Sequence, residues 1–107
     1  LEGLAFCGYL LVGLIFGHLY GAIDDLIPRS FGGAGWMGAE LFDEGRRHFL
    51  LIYFSLSTLT TLGYGDITPA SGAARGVAVV EAVSGQFYLA VLIAELIGRK
   101  VARSSPA

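Results

Sequence analysis

Thr60-Thr61-Leu62-Gly63-Tyr64-Gly65-Asp66 is the stretch on which the reading of this chain turns. It follows an apolar run over residues 49–59 and precedes Pro69, and its Thr and Gly content does not continue a helix. In an ordinary strand, successive carbonyls point in opposite directions. To aim several consecutive carbonyls the same way, alternate residues must adopt left-handed torsions, which glycine does cheaply. Gly63 and Gly65, with one residue between them, fit that need, and Thr61 adds a hydroxyl acceptor at the lower end of the row. A column of oxygens without counter-charge suits a hard monovalent cation whose water shell the carbonyls replace. One chain supplies only one wall of such a column, so several copies are expected around an axis.

The sequence on either side belongs in a bilayer. Of the 107 residues, 54% are hydrophobic and only 15% charged, with a mean hydropathy of +0.65. That excludes a disordered polar segment and differs from soluble domains, which are about 25% charged. A formal net charge of −2 offers no basic surface for nucleic acid. The single cysteine, Cys7, makes no internal disulfide and no Cys-based zinc site.

Residues 3–23 carry no formally charged side chain. A run of roughly twenty residues spans a bilayer core of about 30 Å, so this is the first membrane helix. It lacks a basic leader and a small-residue cleavage site, which argues against a signal peptide. Residues 24–45 contain Asp24, Asp25, Pro28 and a glycine cluster at Gly32, Gly33, Gly35 and Gly38, and read as a flexible aqueous loop with Trp36 as an interfacial anchor. Residues 46–60 start with Arg46, Arg47 and His48 and continue into the short apolar run. That run is too short to cross and suits a re-entrant helix. The filter-like ribbon occupies 61–66, and a second span covers 73–101, interrupted by Glu81, Gln86 and Glu95 and closed by Arg99, Lys100 and Arg103. The basic end is expected in the cytoplasm, which with two spans puts both termini there and the acidic loop outside.

Placed between a half-length helix and a second span, Thr-Thr-Leu-Gly-Tyr-Gly-Asp resembles the selectivity filter of tetrameric potassium channels. The chain as a whole is similar to their two-transmembrane, pore-loop module of bacterial type. Leu62 stands where the family usually has valine and leaves the backbone carbonyl available. The resemblance implies an all-α membrane protein, two transmembrane helices flanking a re-entrant pore helix and an extended filter, assembled as a homotetramer in the plasma membrane. It implies K⁺ sites formed by the carbonyls of Thr61, Leu62, Gly63 and Tyr64 and the Thr61 hydroxyl. No organic cofactor and no enzymatic step is implied. Tyr64 is expected to turn away from the axis toward Tyr53 and Phe54, an aromatic cuff behind the filter.

Other residues are expected to support this pathway. The pore helix aims its C-terminal dipole at the central cavity. Asp66 lies at the outer mouth, where it concentrates cations and hydrogen-bonds behind the filter. Some family members carry an acid on the pore helix; Ser57 occupies that position here, and Glu81, an intramembrane carboxylate, is expected to support the filter instead from the neighbouring helix. Gly85 matches the family's gating hinge and equally suits close helix packing. Gln86, Ala90, Ile93, Ile97 and Val101 recur at helical spacing, and by resemblance line the cavity, with Ile97 or Val101 at the inner constriction. Glu95 and Arg99 are spaced for a helical ion pair. His18 reads as a polar interface residue, with no second ligand at helical spacing. Two alternatives stay open: a non-selective cation channel of the same architecture, and a partner subunit that assembles without conducting.

Overall fold

The computed structural model describes residues 2–38 and 41–104. Residues 39 and 40 of the expected loop, Leu1 and residues 105–107 of the polar tail lie outside the described residues. Three helices form the frame: α1 (Glu2–Leu26), α2 (Glu44–Leu59) and α3 (Gly72–Ser104). Two short strands, β1 (Phe31–Gly32) and β2 (Thr68–Pro69), pair antiparallel with Phe31 opposite Pro69 and Gly32 opposite Thr68.

Both α1 and α3 are long and apolar enough to cross a membrane. The 25 residues of α1 reach about 37 Å and the 33 of α3 about 50 Å, more than a bilayer core requires. In contrast, α2 has 16 residues, about 24 Å, and stops short of a crossing. Its start is set by Asp43, whose Oδ1 accepts from the Arg46 amide at 2.7 Å, with Glu44 in the first turn complementing the dipole. At its end the Thr60 amide and hydroxyl both donate to the Leu56 carbonyl, at 3.0 and 2.8 Å. Beyond Thr60 the chain turns back on the helix.

The segment expected as a flexible loop is structured. α1 continues to Leu26, so Asp24 and Asp25 belong to its last turn. A 3-10 turn, Ala34–Trp36, follows β1. Gly35 donates its amide to the Asp66 carbonyl at 2.7 Å, and Ala70 donates to the Ser30 carbonyl at 2.7 Å. Gly33 has φ +98°, and a Cβ there would meet the Asp66 carbonyl oxygen at 2.5 Å. At this position, glycine permits close approach to the chain that leaves the 61–66 ribbon.

Trp36 is likewise not an exposed anchor. It is 7% exposed and packs on Phe31 and Phe42. The core it joins is aromatic: Tyr20, Phe31 and Phe54 meet edge-to-face with centroids 5.0–5.7 Å apart. Such contacts add about 0.5–1.5 kcal/mol each beyond the area they bury. This cluster fixes α2 against α1 and against the return segment, so the ribbon is held at both ends.

Candidate functional site

The ribbon begins where α2 runs out of helix. Amides of Leu62 and Gly63 donate back to the Ser57 carbonyl at 2.9 and 3.3 Å, and the Gly63 amide also reaches Ser57 Oγ at 3.1 Å. One serine therefore binds the lower half of the ribbon to the last turn of α2. Positive φ recurs at alternate residues, +60° at Thr61, +60° at Gly63 and +80° at Gly65. The glycines were expected in this conformation; Thr61 was not, because a β-branched residue adopts it at a cost. Its hydroxyl donates to the Thr60 carbonyl at 2.6 Å, which leaves the oxygen lone pairs open.

Residues 61–65 are exposed in the single chain, Leu62 at 57% and Tyr64 at 68%. Tyr64 stacks on Tyr53, centroids 6.5 Å apart and 13° between planes. The Tyr53 hydroxyl donates to Asp66 Oδ2 at 2.8 Å, while Asp66 Oδ1 accepts from the Ile67 amide at 3.0 Å. Tyr53 thus bridges α2 to the upper end of the ribbon. Phe54 does not share this position. Helical geometry turns it away from Tyr53, and it lies in the core with Tyr20 and Phe31.

Glu81 also departs from expectation. It is fully buried, and its hydrogen bonds go to helices and not to the ribbon: Tyr20 donates to Oε1 at 2.7 Å, and Ser55 Oγ lies 2.5 Å from Oε2. Ser57, two residues nearer the end of α2, makes the contact with the ribbon. The α3 backbone passes close by at Gly85, where a Cβ would collide with the Leu59 carbonyl and approach Leu59 Cδ1 at 2.9 Å. Close packing is therefore one reason for that glycine.

Further along α3, Gln86, Ala90, Ile93, Ile97 and Val101 are all exposed along one face. Glu95 and Arg99 form no ion pair among the described residues; Glu95 lines a groove with Ala5, Phe87 and Tyr88. His18 Nδ1 donates to the Leu14 carbonyl at 2.9 Å, and its ring meets the His48 ring of α2 at 5.5 Å. Two imidazoles do not complete a metal set, and no group of three potential ligands occurs among the described residues.

Sequence reasoning missed the residue that ties the end of α1 to the start of α2. Arg47, its side chain 12% exposed, pairs with Asp24 at 3.0 Å and Asp25 at 2.8 Å, and donates to the Gly21 carbonyl at 3.0 Å. Burial works against its charge, but the bond to Asp24 and the charges of Asp24, Asp25 and Glu44 outweigh that and raise its pKa above the usual arginine value. The signal was present as two acids at the end of one helix and two arginines at the start of the next. Tyr20 and Ser55 were missed too, because isolated hydroxyls in apolar runs carry no pattern of their own.

Two apolar helices, a half-length helix between them and a ribbon with alternating left-handed torsions define a pore-module architecture. The family description "Ion channel" matches residues 4–101, and the chain belongs to that family. It is 40% identical over 55 residues to a calcium-gated potassium channel of Thermoplasma volcanium, an alignment covering 51% of this chain and 16% of that protein. It is 46% identical over 57 residues to a probable potassium channel protein of Methanocaldococcus jannaschii, covering 50% of this chain and 17% of that protein. The alignments thus span about one-sixth of those relatives' length. No solved structure matches the chain.

Proposed function

We propose that this chain forms the pore of a potassium-selective channel, assembled as a homotetramer in the plasma membrane with both termini in the cytoplasm. The observation that carries the reading is the exposed ribbon with positive φ at residues 61, 63 and 65. Four such ribbons around an axis offer rings of carbonyl oxygen from Thr61, Leu62, Gly63 and Tyr64, and the Thr61 hydroxyl adds another ring below them. K⁺ exchanges water for these oxygens and moves between adjacent sites without any bond being made or broken. No catalytic group is needed, and the protein acts as a channel and not as an enzyme.

The neighbouring contacts give each supporting residue a task. As the pore helix, α2 directs its C-terminal carbonyls toward the cavity below the filter. Ser57 anchors the ribbon from below, and Tyr53 with Asp66 anchors it from above. Gly65 supplies the last left-handed step. On α3, Gly85 permits bending as well as packing, and the exposed face from Gln86 to Val101 lines the cavity. Ile97 or Val101 then closes the inner end by excluding water. The 40–46% identity to channels described as potassium channels supports the choice of cation.

Reconstitution in liposomes tests the proposal. Under bi-ionic conditions the reversal potential is expected to report strong preference for K⁺ over Na⁺. Equal permeabilities would replace this reading with a non-selective cation channel. Stable tetramers without K⁺ flux would replace it with a non-conducting partner subunit.

A further inference from the structure

Three oxygen–oxygen contacts meet at the centre of the three-helix junction. Tyr20 Oη stands 2.7 Å from Glu81 Oε1, Ser55 Oγ 2.5 Å from Glu81 Oε2, and Ser55 Oγ 2.6 Å from the Gly13 carbonyl. Each contact at this distance is a hydrogen bond and requires one proton. Tyr20 supplies one. Ser55 has a single hydroxyl proton, and the Gly13 carbonyl only accepts. If Ser55 donates to Gly13, the proton between Ser55 and Glu81 has to come from the carboxyl group. An ionised Glu81 leaves three contacts with two protons and sets two acceptor oxygens against each other.

The surroundings support the same conclusion. Glu81 is wholly buried, and no Lys, Arg or His forms an ion pair with it among the described residues. Among the described residues, the titratable groups facing it are the phenols of Tyr20 and Tyr9 on α1; α2 contributes the Ser55 hydroxyl, and no further charged group interacts with it from α3. A buried carboxylate without counter-charge is costly, whereas a carboxylic acid with a complete set of partners is not.

We infer that Glu81 is a proton-binding site: a neutral carboxylic acid that donates to Ser55 and so leaves the Ser55 hydroxyl free to tie α2 to the Gly13 carbonyl of α1. Loss of the proton breaks the Glu81 O–H bond and sends H⁺ to solvent. The resulting carboxylate takes the Ser55 proton as a charge-assisted bond, and the Gly13 carbonyl loses its donor from α2. The tie between α1 and α2 is exchanged for a tighter one between α2 and α3. Ser57, which anchors the ribbon, lies two residues from Ser55, so the exchange acts close to the filter. That last consequence rests on the pore reading; the proton assignment does not.

Infrared difference spectra of the full protein in bilayers, wild type against Glu81→Gln, test the assignment. Glutamine keeps one acceptor toward Tyr20 and one donor toward Ser55. A protonated-carboxyl C=O band is expected at neutral pH, absent from Glu81→Gln and fading in the wild type as pH rises. A difference confined to carboxylate bands would overturn the proposal. Should Glu81→Gln fail to assemble, Ser55→Ala serves, because removing Oγ must shift the band, and an unmoved band is equally fatal. Potassium flux of the wild type is expected to change at least twofold across the same alkaline transition, with the transition lost in Glu81→Gln. A pH-insensitive wild type that conducts would overturn the link between this proton and the filter. A titrating band in a protein that carries no flux would count against the pore reading and leave the proton site standing.

Discussion

The first and second parts of α3 are made of similar residues and live in different surroundings. From Ala74 to Gly85 the helix packs against α1, α2 and the return segment, with Ala74, Glu81 and Gly85 buried. From Gln86 to Val101 it presents an exposed aliphatic face to which the chain's own elements bring little. The difference separates two jobs. The first part packs into the mount that holds the ribbon, and the second presents an apolar face that the chain itself covers little.

The mount should fail most severely at Arg47. Replacing it with Ala strands Asp24 in a place where it is 16% exposed and removes the bond to the Gly21 carbonyl. Breaking a buried pair from one side costs about 3–5 kcal/mol, and the partial exposure of Asp25 puts the expectation near the lower limit. Arg46→Ala serves as the control. That residue is exposed and its guanidinium lies over the Phe42 ring at 4.5 Å, a contact worth about 0.5–1 kcal/mol. Thermal unfolding of the purified protein in detergent, followed by circular dichroism, is expected to rank the two variants in that order. Equal losses would mean that the clamp contributes no more than a surface charge.

Next in size is a pair of glycine substitutions on α3. Gly85→Ala drives a methyl group into the Leu59 carbonyl and is expected to cost about 1–3 kcal/mol, as overpacking does. Gly98→Ala meets nothing within 4 Å. It is expected to stabilise the helix, by up to about 1 kcal/mol. Opposite signs in the same unfolding assay would confirm the boundary between mount and free helix; a cost at Gly98 would erase it.

How much of this was legible in the sequence follows the range of the interactions. Residues 61–66 could be read because the constraint is local: torsions at alternate residues call for glycine at a fixed spacing. The spans could be read because bilayer thickness sets their length. Trp36 and Phe54 were misplaced because side-chain environment depends on which elements meet, and β1 brings Phe31 between them from a segment that looked like loop. Glu81 was recognised as significant but given the wrong partner. The sequence marks a carboxylate that needs donors, but not that Tyr20 and Ser55, 61 and 26 residues away, supply them. Thr61 escaped because its positive φ is imposed by the bonds that fold Leu62 and Gly63 back onto Ser57, not by its own preference.

A smaller change probes the upper end of the mount. Tyr53→Phe keeps the ring that stacks on Tyr64 and removes the hydroxyl that reaches Asp66. Water competes for this bond, so only a small loss of stability is expected. Amide exchange at Ile67 should quicken, because Asp66 would no longer be held in place to accept from it. Unchanged exchange there would assign the support of the upper ribbon to the Gly35 contact with the Asp66 carbonyl.

The smallest stability effect is expected at Ile97, and it separates the two parts of α3 most cleanly. The residue is 58% exposed in the single chain, so Ile97→Ala removes few contacts that the chain itself makes. Exposed substitutions of this kind usually stay within about 0.5 kcal/mol, far below the roughly 2–5 kcal/mol of an isoleucine truncated in a packed core. Conduction should respond in the opposite proportion. If a ring of Ile97 side chains closes the inner end by excluding water, shortening them widens and wets the constriction, and flux at rest rises while the unfolding temperature stays put. A large fall in stability with unchanged flux would reverse the assignment: Ile97 would then be a buried contact between copies, and the constriction would have to be sought at Val101.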